Sequence, residues 1–258
     1  MKPHTFSVIL AALNEQQRIR TCIRSIRAAH TESEIIVVDG GSVDATTTIV
    51  RDEGAILVDS DSGRGIQLNR GALTAHGDVF VFLHADSVVS PDFFDVLSVS
   101  FDNSLVDIGT CVLRFNVRHP VLRWYERCAR VKSVFTTFGD QCIVVRRSFF
   151  ERIGGFPAWP LFEDVRFLQT ARKSATIYTF PTVVETSARK FVEHGLLAQQ
   201  LRNAVFMALY LAGVAPERLA PMYTRQATGH GPITKPAQQT IPYQPHKRSE
   251  ELCNHYLA

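Results

Sequence analysis

The chain has 258 residues, of which 45% are hydrophobic and 21% charged, with a net charge of +3. This length supports a substantial core in one large domain or two small ones. The small charge and the lack of a dense Lys/Arg run exclude a bulk electrostatic nucleic-acid binder, and no apolar stretch reaches the roughly 18 residues that a membrane span needs.

In chain order, FSVILAAL (6–13) reads as a buried strand. NEQQRIRTCIRSIRAAH (14–30) follows with Ile19, Cys22, Ile23 and Ile26 at helical spacing. SEIIVVDGGS (33–42) predicts a second buried strand ending in Asp-Gly-Gly-Ser. DATTTIVRDEG (44–54) predicts a helix opened by Asp44 and stopped by Gly54. AILVDS (55–60) is a third strand, GRGIQLNRGALTAHG (63–77) a glycine loop entering a helix, and DVFVFLHAD (78–86) a fourth strand.

The second half is less regular. DIGTCVLRFNV (107–117) predicts a strand, and PVLRWYERCARVKSVF (120–135) an amphipathic basic helix. QCIVVRRSFFERIGGF (141–156) predicts a strand, a short helix and a glycine stop. FEDVRFLQTARKS (162–174) predicts a helix opened by two acids, TIYTFPTVVETSAR (176–189) short strands, and residues 190–213 a long helix. Beyond Pro216 the chain grows rich in Pro, Gln and Thr, and residues 220–258 are expected to be a poorly ordered tail.

Alternating buried strands and amphipathic helices imply an α/β fold with a mostly parallel sheet covered on both faces. Such sheets bind ligands outside the carboxyl ends of their strands. Asn14, Glu15, Asp39 and Asp86 all stand at those ends. A carboxylate there can find a cation or phosphate partner, which the sheet interior would deny it. MKPHTFSVIL lacks the pattern of a signal peptide, so a cytosolic location is the expectation, with at most peripheral contact at the inner membrane face. Cys22, Cys111, Cys128, Cys142 and Cys253 are scattered without a CxxC pair and read as small buried hydrophobes.

Five segments, SVILAALNEQQRI, EIIVVDGGSVDAT, GRGIQLNRGA, VFLHADSVVSP and FEDVRF, occur in one order. Together they resemble the family-2 glycosyltransferases of GT-A fold, and within them a bacterial branch associated with radical-SAM and selenium-domain proteins. The likeness runs from about Ser7 to Leu219. It implies one GT-A-like domain over residues 1–219, with a nucleotide-binding half at about 1–100 and an acceptor half at about 101–219. It also implies transfer of a sugar from a nucleotide diphosphate sugar to an acceptor, with inversion and a divalent cation, Mg²⁺ or Mn²⁺.

By that resemblance Asp39 accepts a hydrogen bond from the nucleobase. Glu15 takes the place of a nucleotide-contacting acid, and Ala11, Leu13 and Ala85 supply backbone nearby. Arg64 stands where relatives carry a basic residue near the nucleotide; a solvated surface arginine is the other reading. Asp86 corresponds to the metal-contacting acid of an Asp-x-Asp motif whose first acid is here His84. His84 is either a ligand or a packed histidine. Asp164 matches the catalytic base, with Glu163 positioning it, although two acids also suit a helix N-terminus. His194 is either part of the diphosphate or metal site or a surface histidine, and Arg189 and Lys190 share that ambiguity. Asp44 caps a helix or keeps an acid of the family pattern. Trp124, Tyr125 and the nearby arginines form a helix packed on the sheet edge, or an acceptor or membrane-surface helix.

The resemblance leaves the acceptor open, a small molecule or a lipid, and implies no nucleic-acid partner. A non-catalytic nucleotide-sugar binding protein and a sugar nucleotidyltransferase are the competing readings. The retained Glu163–Asp164 pair opposes the first. The absence of a glycine-rich basic loop after the first strand opposes the second.

Overall fold

The computed structural model describes residues 4–129, 141–188 and 196–228. Four parallel strands, β1 (Phe6–Ala12), β2 (Glu34–Asp39), β3 (Ile56–Asp59) and β4 (Val79–His84), lie in the order β3-β2-β1-β4. Helices α1 (Ile19–Ala29), α2 (Thr46–Asp52) and α3 (Arg64–Thr74) connect them. Helix α1 starts later than its sequence pattern because residues 15–18 form a turn, with Arg18 N and Ile19 N each donating to Glu15 O at 3.0 Å.

The second half extends the same sheet. Strand β6 (Ile108–Phe115) and β7 (Ile143–Arg146) are antiparallel, and β7 also pairs antiparallel with β4. Strand β8 (Tyr178–Thr186) runs parallel to β6 and antiparallel to the short β5 (Val88–Val89). The result is a mixed eight-stranded sheet, β3-β2-β1-β4-β7-β6-β8-β5. The expected parallel character holds in the first half, and the antiparallel β7 breaks it in the second. The short strands expected at 176–189 form one strand instead. Its register with β6 shifts between Cys111 and Val112, opposite Pro181, which has no N–H to give the ladder.

Alternation along the strands sends side chains into two cores. Val8, Leu10, Val81 and Leu83 pack under α1 with Ile19, Cys22, Ile23 and Ile26. Ile9, Phe80 and Phe82 face the other way, with Leu68 of α3 and with Phe150 and Phe167 from α6 (Arg147–Ile153) and α7 (Glu163–Ala171). Burying each of these phenylalanines stabilises the fold by about 1.5–3 kcal/mol. Cys22, Cys111 and Cys142 are buried and reduced, as expected. Burial pushes the Cys22 thiol up, and the nearby Asp86 charge adds to the shift.

Helix α4 (Phe93–Phe101) has no counterpart in the sequence reading. Helix α5 (Pro120–Ala129) occupies the predicted basic segment. Helix α8 (Leu196–Leu211) is followed by α9 (Pro216–Thr228). The domain end expected at residue 219 therefore falls inside a helix, and residues 220–228 are helical rather than tail. Among the described residues, no helix is long and apolar enough to cross a membrane.

Candidate functional site

The carboxyl ends of β1, β2 and β4 share one rim, with Ala12 beside Asp39 and Ala11 beside His84. Gln67 of α3 is buried, and its Nε2 donates to Ala12 O at 3.0 Å and Val38 O at 2.8 Å. It thus ties both strand ends together, adding to the bond that Ala12 O accepts from Gly40 N at 3.0 Å. Helix α3 can lie this close because residue 71 is glycine: a Cβ there would sit 2.4 Å from Ile9 Cγ2.

Asp39 is 4% exposed. Its Oδ2 accepts from Gly41 N at 3.0 Å and Ser42 N at 2.8 Å, which closes the turn after β2. Its Oδ1 is buried and has no partner among the described residues. A buried acceptor left unmet is costly, and a ligand N–H would satisfy it.

Asn14, at a left-handed φ of 56°, ties the end of β1 to the same turn. Its N donates to Ser42 Oγ at 2.8 Å and its Oδ1 accepts from Val43 N at 2.9 Å. Glu15 is half-buried beside it, with its N donating to Thr46 Oγ1 at 2.8 Å. Leu13 is 44% exposed, Ala11 half-buried and Ala85 buried. Asp44 accepts from Thr46 N at 2.9 Å and Gln16 N at 3.2 Å. Desolvation acts to raise this carboxyl, and those bonds, with one from the Thr46 hydroxyl, hold it below its usual range. Of its two readings, the helix-opening one fits these contacts.

Arg64 joins two parts of the rim. Its Nη1 lies 2.7 Å from His84 Nδ1, and its Nε 3.4 Å from Glu163 Oε1. A guanidinium only donates, so in this contact Nδ1 accepts, which assigns the tautomer with its N–H at Nε2. Ligation through Nδ1 would require Arg64 to withdraw. Glycine at 65 permits the approach, since a Cβ there would lie 2.4 Å from Pro157 O and 3.3 Å from Glu163 Cβ. Arg64 is thus no solvated surface residue.

Glu163 is buried and Asp164 half-buried in the first turn of α7. The preceding Phe162 has a left-handed φ of 64° and stacks on Tyr210 of α8 at 4.8 Å. Trp159 meets the same ring edge-on at 6.2 Å. Burial raises the Tyr210 hydroxyl above its ordinary range, and the Asp164 charge also acts to raise it. Tyr210 and Gln67 carried no local signal of a role: one lies in an apolar helical run and the other in an ordinary amphipathic one.

Asp86 lines a cavity of about 390 Å³ with Arg18, Thr21, Asn116 and Glu185. Its walls include neither Asp39 nor Asp164. The Asp86 carboxylate makes no hydrogen bond or ion pair among the described residues. Arg18 Nε is buried without a hydrogen-bond partner there, and sequence reasoning missed this residue. Among the described residues, no group of three or more His, Cys, Asp or Glu could hold an ion. An unpaired Asp86 nevertheless fits a hard cation that takes about one or two protein carboxylates and completes its shell with phosphate and water. His194, Arg189 and Lys190 lie outside the described residues.

Residues 7–154, more than half the chain, match the family model for Glycosyl transferase family 2. A glycosyltransferase of Nostoc sp. (strain PCC 7120), alr2836, itself uncharacterized, is 31% identical over 93 residues, which are 33% of this chain and 29% of that protein. The chain thus spans under a third of that relative's length. Among solved structures, the mannosyltransferase PcManGT from Pyrobaculum calidifontis, in complex with GDP-Man and Mn²⁺, superposes with a TM-score of 0.63 at 21% identity, covering 88% of this chain and 70% of that one. Glucosyl-3-phosphoglycerate synthase from Mycobacterium tuberculosis, in complex with Mn²⁺, UDP and glucosyl-3-phosphoglycerate, gives 0.57 at 21% identity, covering 82% and 81%. These likenesses establish the GT-A fold, and the family match, across strands that form the rim, shows that the chain belongs to glycosyl transferase family 2.

Proposed function

We propose that the protein is an inverting glycosyltransferase that moves a hexosyl group from a nucleotide diphosphate sugar to an acceptor hydroxyl by single displacement. The Arg64 bridge carries this reading. By holding His84 and Glu163 together, it draws the end of β4 and the start of α7 to one rim. In this reading the turn bearing Asp86, two residues beyond His84, and the acid pair 163–164 serve one reaction centre, with the substrate spanning the rim between them. The motif order also supports membership in the radical-SAM and selenium-domain-associated branch.

In this reading the unpartnered Asp39 Oδ1 accepts an N–H of the base. Glu15, Ala11, Leu13 and Ala85 border the nucleotide. Arg64 holds Glu163 in place and orients the His84 ring through Nδ1. Asp164 takes the proton of the acceptor hydroxyl as its oxygen attacks the anomeric carbon and the bond to the diphosphate breaks. A base so placed contributes about 10²–10⁴ in rate. A divalent cation at Asp86 would supply neutralisation of the leaving diphosphate. The GDP-Man and UDP complexes of the two structural neighbours, each with Mn²⁺, support the donor class and the cation.

A thermal-shift panel of UDP, GDP and dTDP sugars, each with and without Mn²⁺, tests this. One base class should raise the melting temperature by mass action, and more so with the ion. No shift with any of them would overturn the reading.

A further inference from the structure

Helix α5 carries a surface that the transfer reaction leaves unused. Arg118, Arg123 and Arg127 are exposed, and none of their guanidinium groups makes an ion pair or hydrogen bond among the described residues. Trp124 is 64% exposed and Val117 41%. At helical spacing, Pro120, Arg123, Trp124 and Arg127 fall within an arc of about 100°. The opposite face is committed to the protein. Leu122 is fully buried, and Tyr125 packs 5.7 Å from Phe115, ring to ring. The helix's acid, Glu126, is turned inward, its Oε1 accepting from Phe115 N at 2.8 Å. The outward stripe therefore has positive charge, an indole and no carboxylate of its own.

We infer that this stripe docks on the surface of an anionic lipid bilayer. Uncompensated arginines attract acidic headgroups. An indole between them suits the boundary where one side is apolar and the other wet. A second copy of the chain is a poor occupant, because a twofold contact would set one arginine cluster against the other. Nucleic acid would leave the apolar bodies of Trp124 and Val117 without a role. The position matters too: Val117 directly follows Asn116, which lines the cavity beside Asp86. A docked bilayer would therefore lie next to that cavity. The inference stands apart from the transfer reaction, since it needs no donor or acceptor.

Cosedimentation of the full chain tests it, with vesicles of phosphatidylcholine alone and of phosphatidylcholine with phosphatidylglycerol. Binding should be at least tenfold stronger to the anionic vesicles. The double variant Arg123→Glu/Arg127→Glu should lose at least tenfold, Arg118→Glu several-fold and Trp124→Ala several-fold, with melting temperatures kept. Indole emission should shift to the blue on anionic vesicles in the wild type and not in Trp124→Phe. Equal binding to both vesicle types, no binding to either, or unchanged binding by the folded double variant would overturn the inference. Binding to duplex DNA as tight as to anionic vesicles, without an emission shift on those vesicles, would assign the arginines to another polyanion and overturn it equally.

Discussion

Arg64 Nη1 meets His84 Nδ1 at 2.7 Å while the same guanidinium reaches Glu163 through Nε at 3.4 Å. One planar group thereby couples the end of β4 to the helix that carries the candidate base. Its five donors in a fixed fork suit this double duty, and an ammonium does not.

Arg64→Ala should remove one charged partner of the buried Glu163 carboxylate. A loss of about 1–3 kcal/mol in stability is expected, with a fall in turnover. Arg64→Lys should recover little of either. Denaturant midpoints and initial rates for both variants check this; full recovery by lysine would mean that charge alone matters.

Asp164→Asn should lower turnover by about 10²–10⁴ and leave nucleotide affinity intact. Single-turnover rates and donor titration separate the two quantities. Equal loss of both would remove Asp164 from proton transfer.

Asp86→Ala should abolish the Mn²⁺ dependence of nucleotide binding. His84→Asp should tighten that dependence by about tenfold, the scale seen when groups around a metal change. Titration calorimetry with and without Mn²⁺ reads both variants. Unaltered Mn²⁺ dependence in Asp86→Ala would place the ion elsewhere.

Gly65→Ala would put a methyl group 2.4 Å from Pro157 O, a backbone atom that cannot swing aside. Overpacking of this kind costs about 1–3 kcal/mol. The start of α3 should move away from α7, and turnover should fall along with the melting temperature. Wild-type rates in this variant would show that the Arg64–Glu163 approach is dispensable.

Glu34 makes stability depend on acidity. Desolvation acts to raise its carboxyl, but hydrogen bonds from Ser7 and His76 outweigh it, so it titrates below its ordinary value. His76 N lies 2.8 Å from Oε2, and His76 Nδ1 2.8 Å from Oε1. A lowered folded value means the contribution is fully present above the unfolded value and is lost as pH falls through the folded one. Glu34→Gln should therefore flatten the acid limb of a stability–pH profile and leave its shape near neutrality unchanged. A profile parallel to the wild type throughout would contradict this.

Apart from the two-residue β5, strand existence was legible because a strand covered on both faces is a run of large apolar residues, as in IIVV and VFVFL. The rim acids were legible for the complementary reason, since charge can follow such a run only where the strand leaves the sheet. Helix α4 escaped because FFDVLSVSF is apolar on too many sides to show a period. The end of α9 escaped because Pro, Gln and Thr read as tail when no packing partner is in view.

By itself, then, the sequence determined the α/β class, the parallel first half and the residues offered at the strand ends, since local periodicity and burial decide these. Only the tertiary structure decided that β7 enters antiparallel between β4 and β6, that Arg64 is held by His84 and Glu163, and that Asp86 shares a cavity with Arg18 and Glu185. Those relations join residues far apart in the chain. They depend on which strand lies beside which and on how closely two helices approach, and no local pattern encodes either.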